Sequence, residues 1–284
     1  MMQSENFTIR VMERAELGMA VEWAAQEGWN PGLHDAECYY KADPKGFLIG
    51  LLDEEPIGVI SAIKYDDAFG FLGFYIVRPE YRGKGYGIQL WNSALSYLEG
   101  CNIGLDGVVA QQENYKKSGF SLAYSNIRYA GSGGGNPPEE AQIIELSALP
   151  FETVDLHDRP FFPAGRSDFV RCWLSQPDSH ALGILHNGKL AGYGLIRACR
   201  NGYKIAPLFA DTPELAESLF LALKSRVASS DTVYLDTPKV NPAAIALAEK
   251  YGMSLSFETA RMYTGNFPEL PFSRLFGVAS FEIG

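Results

Sequence analysis

The chain has 284 residues, 46% of them apolar and 20% charged, with 24 Lys and Arg against 34 Asp and Glu for a formal net charge of −10. That length carries one large core or two modest ones, and the acidic balance excludes nucleic acid as a natural partner while leaving basic or amine substrates open. The amino terminus MMQSENFTIRVMERAEL has no apolar leader core and no apolar run reaches spanning length, so the expectation is a soluble, cytoplasmic protein without membrane contact.

In chain order, Phe7–Val11 alternates as a first strand and Ala15–Glu27 carries helical apolar spacing. Asn30-Pro31-Gly32 reads as a turn, and Asp35 stands where it caps a second helix. Phe47–Leu52 and Ile57–Tyr65 read as two strands of a hairpin around Asp53-Glu54-Glu55-Pro56, and Phe69–Val77 as the strand that follows. A short Arg/Gly loop leads into a helix beginning near Ile88, and Cys101–Leu105 is the next strand. Cys38, Cys101, Cys172 and Cys199 form neither a CxxC pair nor a metal-type spacing; they read as buried thiols, with no metal expected.

The loop is the most informative stretch. Gly83, Gly85 and Gly87 carry no Cβ, so the backbone can take positive φ and bring N–H groups close to an anion. These amides stand where the helix presents its unpaired N–H groups and the positive end of its dipole, which suits a pyrophosphate, and Arg82 and Lys84 add full charges. The spacing Arg82-x-x-Gly85-x-Gly87 is neither the dinucleotide G-x-G-x-x-G nor a Walker loop, which ends in Gly-Lys-Ser/Thr.

This pattern resembles motif A of the GNAT superfamily of acyl-CoA-dependent N-acetyltransferases, in which R/Q-x-x-G-x-G/A follows a strand and opens a helix. The resemblance implies acetyl-CoA as co-substrate, held by Arg82, Gly83, Lys84, Gly85, Tyr86 and Gly87, with amides near Ile76 and Val77 beside the thioester carbonyl. It also implies that Tyr115, four residues before Gly119-Phe120, protonates the departing thiolate. A phenol suits that task because its ordinary pKa near 10 keeps it protonated at neutral pH. The family's usual Asn seven residues before this Tyr is replaced by Val108. Families of this kind often supply a basic Glu from the strand before the loop, yet Phe69–Val77 contains no carboxylate. Asp106, Asp66 or Asp67, or a water chain, are left as the base, with Asp106 favoured; an Asp-Gly turn is the competing role of Asp106. The helix-loop-helix would cover the acceptor side, making Trp29, Asn30 and His34 candidate substrate contacts, with Tyr39 and Tyr40 adding aromatic surface.

Gly131–Glu140 is dense in Gly, Ser and Pro and reads as a linker between residues 1–130 and 141–284. Beyond it the chain echoes itself: Gly58 and Gly192, the hairpins around them, Asp106 and Asp236, Gly119 and Gly252, and Arg128 and Arg261 recur in one order at nearly one offset. The expected fold is therefore α/β (α+β), two tandem GNAT-like domains, each a mixed, mostly antiparallel sheet flanked by helices. The second copy puts Leu215, Ser218 and Phe220 where the first has Arg82, Gly85 and Gly87, with Asp211 and Glu214 crowding its helix start. Carboxylates there repel a pyrophosphate, so only the first half is expected to bind acyl-CoA, the second half closing its cleft or building a homodimer. Function has two readings: an N-acetyltransferase acting on a small-molecule or amino-acid-like amine, or an acyl-CoA-binding sensor or interaction protein with weak catalysis.

Overall fold

The computed structural model describes residues 6–139 and 141–284. The first half runs β1 (Phe7–Val11), α1 (Leu17–Gln26), α2 (Asp35–Ala42), β2 (Phe47–Leu52), β3 (Glu55–Lys64), β4 (Phe69–Val77), α3 (Tyr86–Tyr97), β5 (Asn102–Val108), α4 (Gln112–Lys117) and β6 (Ser121–Ser132). The second half repeats that order as β7 (Gln142–Glu145), α5 (Phe151–Asp158), α6 (Ser167–Trp173), β8 (Ser179–His186), β9 (Lys189–Ala198), β10 (Tyr203–Ala210), α7 (Pro213–Lys224), β11 (Thr232–Pro238), α8 (Pro242–Lys250) and β12 (Ser254–Tyr263), and then adds β13 (Leu275–Gly277).

Local chemistry accounts for the repeated hairpins. Asp53 and Glu54 join β2 to β3 with φ of 48° and 70°, and Asn187 and Gly188 join β8 to β9 with φ of 51° and 74°. Two consecutive positive φ values make the mirror-image turn whose twist matches that of the flanking strands. The sheet that results is mixed and mostly antiparallel, as expected; β4–β5 and β10–β11 pair in parallel, and helices flank it.

Among the described residues the strands form one continuous sheet in the order β1-β2-β3-β4-β5-β12-β6-β11-β10-β9-β8-β7, with β13 beside β10. Each half therefore hands its last long strand to the other: β12 pairs with β5, and β6 pairs with β11. Gly131 and Ser132, expected as the start of a linker, are ladder residues opposite Val233 and Thr232. The stretch 131–140 thus divides the chain without dividing the sheet, and Glu140 lies outside the described residues.

Buried ion pairs fasten the exchange. Arg261 on β12 is the direct neighbour of Asp106 on β5 and grips it with Nε at 3.0 Å and Nη2 at 2.5 Å. Arg128 on β6 stands opposite Asp236 on β11 and grips it at 2.6 and 2.7 Å. The repeat seen in sequence becomes, in space, two equivalent Arg–carboxylate forks that each cross between halves. A shared apolar core reinforces them, with Phe74 and Tyr39 of the first half against Phe169 and Trp173 of the second.

Candidate active site

The site begins as a fault in β4. Register shifts between Val59 and Ser61 of β3, so Phe74 and Tyr75 together oppose Ile60, and Phe74 takes φ +46°. A bulky residue there stores roughly 1–3 kcal/mol of strain, and the surroundings hold it: the Phe74 ring is buried between Tyr39 (5.4 Å) and Phe47 (5.9 Å). Parallel pairing of β4 with β5 stops just before the bulge, at Leu72 opposite Leu105. Past that point the two strands part and line a cavity of about 830 Å³.

Peptide direction follows from the ladder. Arg78 N donates to Ile57 O at 2.9 Å, so alternation turns the peptide of Val77 away from β3 and into the gap, whereas that of Ile76 faces β3. Ile76 therefore lines the cavity without offering its amide, a correction to the expectation that both amides point inward. The Val77 carbonyl accepts from Arg82 Nε at 2.7 Å.

The glycine loop forms one end of the cavity. Gly83 and Gly85 have φ of +76° and +88° with open space where a Cβ would stand, so it is conformation that requires glycine there. Gly85 is the N-cap of α3, which starts at Tyr86 and not near Ile88; Gly87 lies in its first turn, where a Cβ would come within 2.6 Å of Tyr75 Oη. The first-turn amides of α3 have no intrahelical acceptors, and Gly83, Gly85, Gly87 and Ile88 line this end of the cavity. Arg82 lines the cavity, held by Glu27 Oε1 at 2.5 Å. Lys84 and Tyr86 do not line it: Lys84 Nζ lies 5.2 Å from the Tyr81 ring centroid, and the Tyr86 ring packs on Phe7 at 4.9 Å.

Tyr115 stands on the wall from α4. Its ring stacks on Trp91 at 5.7 Å and 28°, and Trp91 is itself fixed by Nε1 donating to Ser118 Oγ at 3.0 Å. Burial, then the neighbouring Tyr75, pushes the Tyr115 phenol up to about 12, so it stays protonated well above neutral pH.

Asp106 lies on the same wall but is not free. Besides Arg261 it accepts from Asn126 Nδ2 at 2.8 Å and Thr259 Oγ1 at 3.3 Å, and its side chain has 0% exposure. Burial pushes its carboxyl up against the pull of Arg261. Three donors converge on its Oδ1 and Arg261 Nη2 on its Oδ2, so this buried carboxylate is a tie between strands, which corrects its expected role as base. Asp66 is likewise used, by the amides of Ala68 (2.8 Å) and Phe69 (2.7 Å) at the far end of β4.

Of the acceptor-side candidates, Trp29 lines the cavity. Asn30 and His34 do not; they clamp the halves together. Asn30 exchanges hydrogen bonds with Asn201 at 2.9 Å in both directions, and His34 Nε2 meets Asp178 Oδ2 at 2.9 Å. Tyr39 is fully buried and Tyr40 half-buried on α2. The second half also contributes to the cavity wall, through Phe257, Thr259, Phe281 and Glu282. No family pattern in the first half signals these residues, because strand exchange and residues 278–284 bring them in.

The second half has its own parting of strands, and its own chain fills it. The β10–β11 pairing covers Tyr203–Ile205 against Val233–Leu235. Beyond it β13 pairs with β10, and Val278 N donates to Asp236 O of β11 at 2.9 Å. The helix that follows is capped by its own Thr212, with Asp211 gripped by Arg274 at 2.5 Å.

A bulged strand parting from its parallel neighbour, with a glycine loop and helix N-terminus at one end and a half-buried tyrosine on the wall, defines a GNAT-type acyl-transfer fold. Comparison with known proteins agrees. Residues 15–120 match the family described as "Acetyltransferase (GNAT) family", and residues 154–277 match "Acetyltransferase (GNAT) domain". A holothin acyltransferase of Pseudoalteromonas sp. (strain SANK 73390) is 30% identical over 284 residues, covering 100% of this chain and 97% of that protein. Two solved structures share the fold across both halves. An acetyltransferase candidate of Pyrococcus horikoshii has a TM-score of 0.83 at 22% identity, covering 100% of this chain and 98% of that one. A tandem GNAT protein from the clavulanic acid biosynthesis pathway has a TM-score of 0.66 at 13% identity, covering 93% and 100%. The chain belongs to the GNAT acetyltransferase family, in its tandem form, and acyl transfer is the activity of that class.

Proposed function

We propose that this protein is an acetyl-CoA-dependent N-acetyltransferase whose first half moves the acetyl group from the thioester directly to the amine of a small molecule. The observation that carries the reading is the meeting, in one cavity, of the Gly83–Gly85 loop, the N-terminus of α3, the inward peptide of Val77 and the Tyr115 hydroxyl. A Cβ at Gly87 would meet Tyr75 Oη of β4 at 2.6 Å, and the positive φ values at Gly83 and Gly85 favour a backbone cradle over a side-chain one. These residues fit a pyrophosphate: loop and helix amides would hold it, and Arg82 would add charge from the cavity wall. The Val77 amide is suited to stabilise a developing oxyanion, and Tyr115 to give its proton to the leaving sulfur.

The engagement of Asp106 by Arg261, Asn126 and Thr259 favours a second reading, an acyl-CoA-binding protein without turnover. A screen of amine acceptors with acetyl-CoA, reading released thiol, separates the two. Holothin belongs in that screen because the Pseudoalteromonas relative is named for it. Turnover on at least one amine is expected; tight acetyl-CoA binding with no thiol release from any amine would favour the second reading.

A further inference from the structure

The acceptor nitrogen must lose a proton as it attacks, and the first-half carboxylates at the cleft are engaged. β4 has none, Glu27 lines the cavity beside the glycine loop and holds Arg82 at 2.5 Å, Asp106 receives four hydrogen bonds, Asp66 accepts the amides of its own turn, and Asp67 is exposed and paired with Lys64 at 3.1 Å. The cavity nevertheless contains a carboxylate that arrives from the other half. After β13, residues 278–284 leave the second half's filled cleft, run buried into the first half's sheet and cross β4 at Gly73. A Cβ at Gly73 would sit 1.8 Å from the Glu282 carbonyl oxygen, so this glycine is what admits the crossing. Ser61 Oγ and Tyr65 Oη fix the path by donating to the carbonyls of Glu282 (3.3 Å) and Ile283 (2.7 Å).

The Glu282 side chain lines the cavity and is oriented from one side. Its Oε2 accepts from Ser280 Oγ at 2.7 Å and Tyr39 Oη at 3.3 Å, while Oε1 accepts no hydrogen bond among the described residues. Trp29, Phe257 and Phe281 line the same cavity together with Arg128, whose guanidinium lies 5.0 Å from the Phe281 ring centroid and is already gripped by Asp236, so the Glu282 carboxylate keeps a spare oxygen with which to attract an amine.

We propose that Glu282 is the proton acceptor of the acyl transfer, a catalytic residue supplied by the second half to the cleft of the first; this rests on the N-acetyltransferase reading above. The step balances. An amine that arrives as an ammonium first passes one proton through Glu282 Oε1 to solvent; its lone pair then forms the C–N bond at the thioester carbonyl, the C–S bond breaks, Glu282 Oε1 takes the second proton from nitrogen, and Tyr115 Oη gives one to sulfur. Solvent then returns the proton from Glu282 to Tyr115. On this account the second half is kept because it holds the base in place: β13 anchors the segment, and Gly73 lets the carboxylate reach β4 where the strand itself has no acidic residue.

The test compares wild type with Glu282→Gln, an isosteric change whose amide oxygen can still accept from Ser280 and Tyr39. Acetyl-CoA binding is measured by calorimetry, folding by thermal denaturation, and turnover with amines of graded basicity. The expected result is unchanged acetyl-CoA affinity, a fall in kcat of about 100-fold or more for amines protonated at the assay pH, and a smaller deficit for weakly basic amines that arrive neutral. If Glu282→Gln denatures early, Glu282→Asp, which withdraws the carboxylate by one methylene, is read in its place, with the same dependence on amine basicity expected. Turnover near wild type, or an equal deficit for every amine, would overturn the assignment while leaving the acetyltransferase reading intact. Wild type that binds acetyl-CoA but acetylates no amine would overturn both.

Discussion

Replacing Asp106 by Asn separates a structural carboxylate from a catalytic one. The change leaves Arg261, 4% exposed, without its counter-charge, and turns one acceptor of Asn126 and Thr259 into an amide. Breaking one member of a buried ion pair costs roughly 3–5 kcal/mol. With an unfolding entropy that scales with chain length, this lowers Tm by about 5–8 °C. Asp236→Asn breaks the equivalent fork to Arg128 and also leaves Lys204 Nζ, 3.9 Å away, uncompensated, so its loss is expected to be at least as large. Against the opposing effect of burial, Arg128 and Lys204 hold the Asp236 carboxyl below its ordinary range. That stabilisation is fully present above the ordinary carboxylate range and is lost as pH falls below it through the lowered value of the folded state. Replacing both members of the first fork with apolar residues, Asp106→Leu with Arg261→Met, is expected to recover much of the loss. Circular dichroism melts of the three variants give the stabilities, and thiol release well below each Tm gives activity. Asp106→Asn with a wild-type melt and abolished turnover would refute the structural role and restore Asp106 as a base.

Three further perturbations probe the cleft. Gly85→Ala meets no atom within 4 Å but forces φ +88° on an L residue, at a cost of about 1–2 kcal/mol; acetyl-CoA affinity by calorimetry is expected to drop about tenfold, and unchanged affinity would argue against the cradle. Tyr115→Phe is expected to lower kcat by about 100-fold or more with acetyl-CoA affinity unchanged. Because burial pushes this phenol up to about 12, its proton stays on as pH rises, and wild-type turnover should show no decline due to Tyr115 through pH ~9–10. A decline in that window that vanishes in Tyr115→Phe would contradict the raised value. Gly73→Ala drives a Cβ to 1.8 Å from the Glu282 carbonyl and should displace residues 278–284, lowering stability by roughly 1–3 kcal/mol and kcat with it; wild-type turnover and melting would show that the crossing is dispensable.

What was legible in the sequence was what is local. The Arg82–Gly87 loop announces itself because positive φ and close approach demand glycine at fixed spacing. The repeat is visible because each copy needs the same turns and the same paired residues. Its consequence in space was not, since β6 and β12 carry the same Arg in equivalent positions and a strand's pattern does not say which sheet it completes. Arg128 and Arg261 recur as a matched pair in the repeat, yet their partners lie in the opposite half. Asn30 and His34 follow the same logic, being polar residues on a helix-loop-helix whose partners, Asn201 and Asp178, belong to an interface the sequence does not display. Glu282 carried no signal of its own: it comes from more than two hundred residues beyond the strand it crosses. The nearest hint was the pairing of a carboxylate-free β4 with a glycine at position 73.

The central claim is that the first half holds the acyl donor while the second, its cleft filled by β13 and its helix capped by Thr212, does not. Calorimetric titration of the intact protein with acetyl-CoA tests it most directly. One site per chain in wild type, abolished by Gly85→Glu, is the predicted result. Two sites per chain, or binding undiminished in the variant, would contradict it.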